Sequence, residues 1–192
     1  RDHLERAAAY DRSNLAVWER WATLDYMEGR RADAARRAGE VLAQDPGNGT
    51  AYYILGMVHL QEGRADLAEA ALRRSLDTRL TAPACHGLAQ TLLARGQLDE
   101  ALGYARQAVA MQARQPVFWG TLGLVLAARK EGPGAAASFD QALNLGLRDP
   151  SMLVPAARVF LEQDQPDKTA RLFNYLDPRR DQLPNTLRDE YE

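Results

Sequence analysis

The chain has 192 residues, 46% hydrophobic and 26% charged, which is enough apolar material for the core of one ordinary domain or a short repeat array. Its 24 basic and 26 acidic residues nearly cancel, for a formal net charge of −2, so the broad positive field that nucleic acid or an anionic membrane requires is missing. A single cysteine, Cys85, leaves no internal disulfide and no cysteine-based metal cluster, and no apolar run approaches the ~20 residues that span a bilayer.

From the N terminus, residues 1–14, containing "HLERAAAYDRSN", have the pattern of the second helix of a unit whose first helix lies upstream; the chain starts at Arg1 rather than Met. Beyond them a period of 33 to 34 residues sets in, marked by a glycine with an alanine five residues later: Gly29 and Ala34, Gly63 and Ala68, Gly96 and Ala101. A fourth repetition places Ala135 in the small-residue position. There Lys130 stands where glycine is expected, and the turn is expected to be rebuilt by Glu131-Gly132-Pro133-Gly134.

Four units follow, 15–48, 49–81, 82–115 and 116–149, with a divergent fifth from 150 to 178. Each opens on anchors at i, i+3, i+4, one stripe of a helix: Trp18 and Trp21; Tyr52, Leu55 and Gly56; Cys85, Leu88 and Ala89; Trp119, Leu122 and Gly123. The second half of each unit repeats the logic, as in Ala68, Leu72, Ser75 and Leu76 or Ala135, Phe139, Ala142 and Leu143. Each unit is therefore predicted to be two amphipathic helices. Gly56 and Gly123 are expected to let helices approach closely.

Asp45-Pro46-Gly47-Asn48 ends the first unit, and Asp149-Pro150 and Asp164-Gln165-Pro166 each combine a capping carboxylate with a proline in a first helical turn. Pro83 after Thr81 plays a similar part, whereas Pro155, a few residues into the fifth unit, is expected to kink or delay its helix. Residues 179–192, "RRDQLPNTLRDEYE", are polar and predicted to cap the stack.

An aromatic, then Leu-Gly, then Gly, then Ala, with Asp-Pro at the end, resembles the tetratricopeptide repeat (TPR) family; "AYYILGMVHLQEGRADLAEAALRRSL" matches it almost throughout, and the likeness covers residues 15–176. The resemblance implies an all-α, right-handed superhelical solenoid of helix hairpins that acts as a protein-protein interaction scaffold or adaptor. A partner's peptide or helix would lie in its concave groove. It further implies a setting such as a bacterial envelope assembly, secretion or exopolysaccharide system. The alternative is a non-catalytic substrate-positioning or regulatory domain of a larger enzyme. Carried over by offset, the family's wall positions are Glu19, Thr23, Tyr26 and Met27; Tyr53, Met57, Leu60 and Gln61; His86, Gln90, Leu93 and Ala94; Val117, Gly120, Leu124 and Ala127; and Arg158, Leu161 and Glu162. Tyr53, Met57, Leu60, Leu93 and Leu124 make this wall apolar through its middle, which suits an amphipathic helix or an extended apolar peptide, or else cover by flanking segments of the chain itself. The carboxylate-gripping mode of the family is not expected. Its positions hold Glu19, Thr23, Ile54, Pro83 and Gly87 in one frame, and Tyr53, Met57 and Gly87 one unit later.

No P-loop, paired-glycine dinucleotide turn, GxSxG or HExxH occurs, and no enzymatic activity, cofactor or metal is expected. His59 sits on an anchor stripe, His86 on the wall as a candidate for partner contact and pH response, and His3 near a frayed end. Cys85 is expected to be a buried apolar residue rather than a nucleophile. Asp66 and Asp99-Glu100 read as solvated outer-face carboxylates, and Arg36-Arg37 and Arg73-Arg74 as a ladder on the convex face; with Arg179-Arg180 they are the best case for nucleic acid, offset by Asp33, Glu40, Glu69 and Asp77. The basic residues are all arginine except Lys130 and Lys168, a bias typical of a GC-rich bacterial genome that leaves cytoplasm and periplasm equally open. The truncated first unit also offers an exposed end for self-association.

Overall fold

The computed structural model describes His3 and residues 14–176, so the expected N-terminal helix of 1–14 and the cap of 179–192, with Arg179-Arg180, lie outside the described residues. Ten α-helices and no strand occur among these residues: α1 (Leu15–Met27), α2 (Arg31–Gln44), α3 (Gly49–Gln61), α4 (Ala65–Thr78), α5 (Ala82–Ala94), α6 (Leu98–Met111), α7 (Pro116–Ala128), α8 (Gly132–Asn144), α9 (Pro150–Glu162) and α10 (Pro166–Leu176). None is long and apolar enough to cross a membrane. The chain forms two compact units, Arg1–Gly96 and Gln97–Glu192.

In the first unit α1–α2 and α3–α4 are hairpins, α3 packs on α2, and α5 packs on α4; α1, α3 and α5 also touch in succession. In the second unit α6 packs on α7, α7–α8 and α9–α10 are hairpins, and α9 touches both α7 and α8. Within each unit first helices thus lie against first helices, and the second helices have no comparable contact with one another among the described residues.

The hairpin turns explain the glycine period. At the end of α1 the Gly29 N–H donates to the Tyr26 carbonyl (3.0 Å) and the Arg30 N–H to that of Asp25 (2.8 Å), a paired closure that needs a left-handed residue just past the helix; Gly29 supplies it at φ 75. The same pair recurs from Gly63 and Arg64 to Leu60 and His59. In the fourth unit the expected rebuilding does not occur. Lys130 takes φ 62, its N–H donating to Ala127 and that of Glu131 to Leu126, so the turn is kept and the lysine bears the strain. Asp164 does likewise at φ 53, so it closes α9 rather than capping α10. Asp149 is a true cap, its Oδ1 accepting from the Ser151 N–H at 3.0 Å, as Asn48 accepts from Ala51 at 3.0 Å.

The period-setting alanines Ala34, Ala68, Ala101 and Ala135 are fully buried. Close approach at the glycines is real: a Cβ on Gly56 would stand 2.6 Å from Leu72 Cγ, and one on Gly123 2.9 Å from the Phe139 ring. One further expectation is corrected: α9 starts at Pro150 and runs through Pro155 to Glu162, so that proline does not delay it. Trp119 is half-buried, as are Trp18, Tyr52 and Leu55, and its indole N–H donates to the Ala113 carbonyl (2.8 Å), while the adjacent Phe118 is buried.

Candidate functional site

In the first unit the wall positions carried over by offset lie on α1, α3 and α5, first helices that touch in succession. Tyr26 of α1 meets Tyr53 of α3 edge to face, ring centroids 6.4 Å apart. Gln61 at the end of α3 donates to the Tyr26 hydroxyl (3.2 Å) and accepts from Arg31 Nε (2.8 Å). The structure therefore gathers Tyr26, Tyr53 and Gln61 with Arg31, an arginine that the sequence offset did not include. Burial raises the phenol pKa of Tyr26, an effect that the Arg31 charge opposes, and pushes that of Tyr53 up to about 12, so both hydroxyls stay protonated and can donate.

Other wall positions are already engaged. Glu19 accepts from the Asn48 side chain, and the Thr23 hydroxyl donates to the Glu19 carbonyl on its own helix at 2.8 Å. Met57 is 8% exposed, with its sulfur 2.6 Å from where a Cβ on Gly87 would lie, so it is a packing residue between α3 and α5 and not an open wall contact as expected. Met27, by contrast, is 77% exposed. Leu60, His86, Gln90 and Leu93 are half-buried and Ala94 is exposed. Burial lowers His86 to a pKa of about 4, which keeps the imidazole neutral across the physiological range and removes it as a pH-responsive contact there.

In the second unit Val117, Leu124 and Ala127 of α7 are half-buried, and Arg158, Leu161 and Glu162 of α9 are exposed. Gly120 is not an open position. Met152 lies over it, its sulfur 2.5 Å from a notional Cβ, the same methionine-over-glycine contact as Met57 over Gly87.

The charged residues also depart from the sequence reading. Arg37, expected on the outer face, is 5% exposed: it pairs with the fully buried Asp25, which Arg30 also grips, and its guanidinium lies 3.9 Å from the centre of the Trp21 ring. The only sequence signal for this network was a carboxylate inside the apolar stretch Leu24-Asp25-Tyr26 of a first helix. Asp66 and Asp99 do more than solvate an outer face; Arg95 pairs with Asp66 and Arg129 with Asp99, so each clips the end of a first helix to the start of the preceding second helix. Arg73 is held by Glu69 (2.9 Å) and Arg36 by Glu40 (2.7 Å), which breaks up the expected basic ladder.

His59 is partly buried 3.9 Å from Glu62, and burial lowers its pKa. Cys85 is fully buried, and burial pushes its thiol pKa up, the opposite of what a nucleophile needs.

The family model for the tetratricopeptide repeat matches residues 19–83 and 86–151. No curated protein sequence matches the chain. Among solved structures, YrrB, described as a TPR protein with an unusual peptide-binding site, is 17% identical over 96% of this chain and 95% of its own, with a TM-score of 0.68. PilF of Pseudomonas aeruginosa is 17% identical over 98% and 85%, with a TM-score of 0.79, and MamA of Desulfovibrio magneticus RS-1, from residue 41 to its end, is 16% identical over 90% and 98%, with a TM-score of 0.70.

Proposed function

The chain belongs to the tetratricopeptide repeat family, and from that premise we propose that it is a non-catalytic scaffold that holds a peptide or helix of a partner protein against the inner wall of its first helices. The observation that carries this reading is the cluster of Tyr26, Tyr53, Gln61 and Arg31, which joins two protonated phenols, an amide and an exposed arginine. Such a surface offers apolar area for a side chain and donors for backbone carbonyls, the combination an extended or helical segment requires. The peptide-binding site named for YrrB, a protein of the same fold, supports the choice of a peptide.

In the second unit, taken by itself, the corresponding positions are half-buried Leu124 on α7 and exposed Arg158 and Leu161 on α9. A bacterial envelope assembly, secretion or exopolysaccharide system is the setting we propose, on family resemblance alone, and the identity of the partner decides it.

Partner recovery with the full chain as bait tests the assignment. Tyr53→Ala combined with Gln61→Ala is expected to lower recovery by about tenfold, equivalent to ~1.4 kcal/mol, while helicity is retained. Undiminished recovery by a folded double variant would reject the inner wall as the binding surface.

A further inference from the structure

In the second unit a cavity of about 270 Å³ lies between α8 and α10, lined also by residues of the α8–α9 connection and of α9. Its floor is apolar, formed by Leu143, Leu153 and Leu172, and its rim is cationic: Arg148, Lys168 and Arg171 against one carboxylate, Asp140. Asp140 is engaged by Lys168 at 3.0 Å. Arg148 donates to the neighbouring Leu147 carbonyl (2.7 Å) and lies 5.4 Å from the Tyr175 ring centre, and exposed Arg171 forms no ion pair among the described residues. In a chain of net charge −2, this gives one small cavity a local excess of two positive charges.

We propose that this cavity is a second binding site, for an acidic peptide segment that carries one large apolar side chain. The volume falls just below the ~300–1,000 Å³ of small-molecule sites and suits a single side chain rather than a larger ligand. The leucine floor takes that side chain, and flanking carboxylates reach Arg148 and Arg171, whose forked donors match carboxylate geometry. The site belongs to the second-helix side of the array and is independent of the inner-wall reading. Neither aromatic of the Tyr26–Tyr53 pair contributes to it.

The test is fluorescence anisotropy of the full chain with a fluorescein-labelled, C-terminally amidated peptide Asp-Glu-Phe-Glu-Asp. The expected result is saturable binding that weakens about tenfold or more in Arg148→Gln with Arg171→Gln, and several-fold between about 50 and about 300 mM salt. Both arginines are exposed, so the variant keeps its helicity, and Tyr53→Ala should leave binding unchanged. The proposal is overturned by equal binding of Asn-Gln-Phe-Gln-Asn, by unchanged binding in the double arginine variant, or by no binding up to about 1 mM protein.

Discussion

Lys130 shows how a single side chain can break a repeat's rule without breaking its geometry. Because the paired turn closure requires φ near +60 whatever the residue, the lysine bears a left-handed cost of ~1–2 kcal/mol that glycine avoids. Lys130→Gly should therefore raise stability by about 1 kcal/mol in urea denaturation, and Gly63→Ala, at φ 73, should lower it by a similar amount. The sequence showed the glycine and its absence; it did not show that the backbone would hold its course, because that depends on the two hydrogen bonds that close the turn. His86 is the other telling residue. Its folded pKa of about 4 lies below the ordinary 6.5, so as pH falls through 6.5 the unfolded chain takes up a proton that the folded chain refuses until about 4. Stability is thus complete above 6.5 and declines toward 4. The urea midpoint should fall more steeply between pH 7.5 and 5 for the wild type than for His86→Gln, and parallel profiles would show that the imidazole is not desolvated.

At the scale of the helix, packing glycines and spectator glycines separate cleanly. Gly56 lies under Leu72, and Gly56→Leu should overpack the α3–α4 crossing at a cost of roughly 1–3 kcal/mol. Gly39 in α2 has open space where a Cβ would go, so Gly39→Ala should stabilise by about 0.5–1 kcal/mol; thermal melts of the two variants should shift in opposite directions. Ion pairs divide in the same way. Asp25 is fully buried between Arg30 and Arg37, and Asp25→Ala would take from the buried Arg37 guanidinium its close carboxylate, leaving Asp33 at 3.8 Å, at a cost of about 3–5 kcal/mol. Asp66 and Asp99 are 88% and 94% exposed, and replacing either with alanine should cost under about 1 kcal/mol despite their repeated geometry. Helix existence was legible because apolar period and turn residues agree at every unit. Which charges turn inward was not, since Arg36 and Arg37 are neighbours of identical chemistry and only the packing of α2 on α1 sends one to solvent and the other over Trp21.

For the molecule as a whole, family and all-α architecture follow from a repeat that each hairpin needs its neighbours to complete, which is why the pattern survives at 17% identity to other solved arrays. The inner-wall positions were only partly readable. Of the offset positions Tyr26, Tyr53 and Gln61 touch one another, whereas Met57, counted as open, is buried, because sequence spacing reports the direction of a side chain and not whether a neighbouring glycine leaves a hollow for it. The most direct measurement is site-specific photo-crosslinking in cells, with p-benzoylphenylalanine replacing in turn Tyr53, Gln61 or Leu124 on first helices and Arg74 or Arg106 on second helices. Adducts to one common partner are expected from the first-helix positions and none from Arg74 or Arg106; adducts confined to the second-helix positions would contradict an inner-wall binding surface.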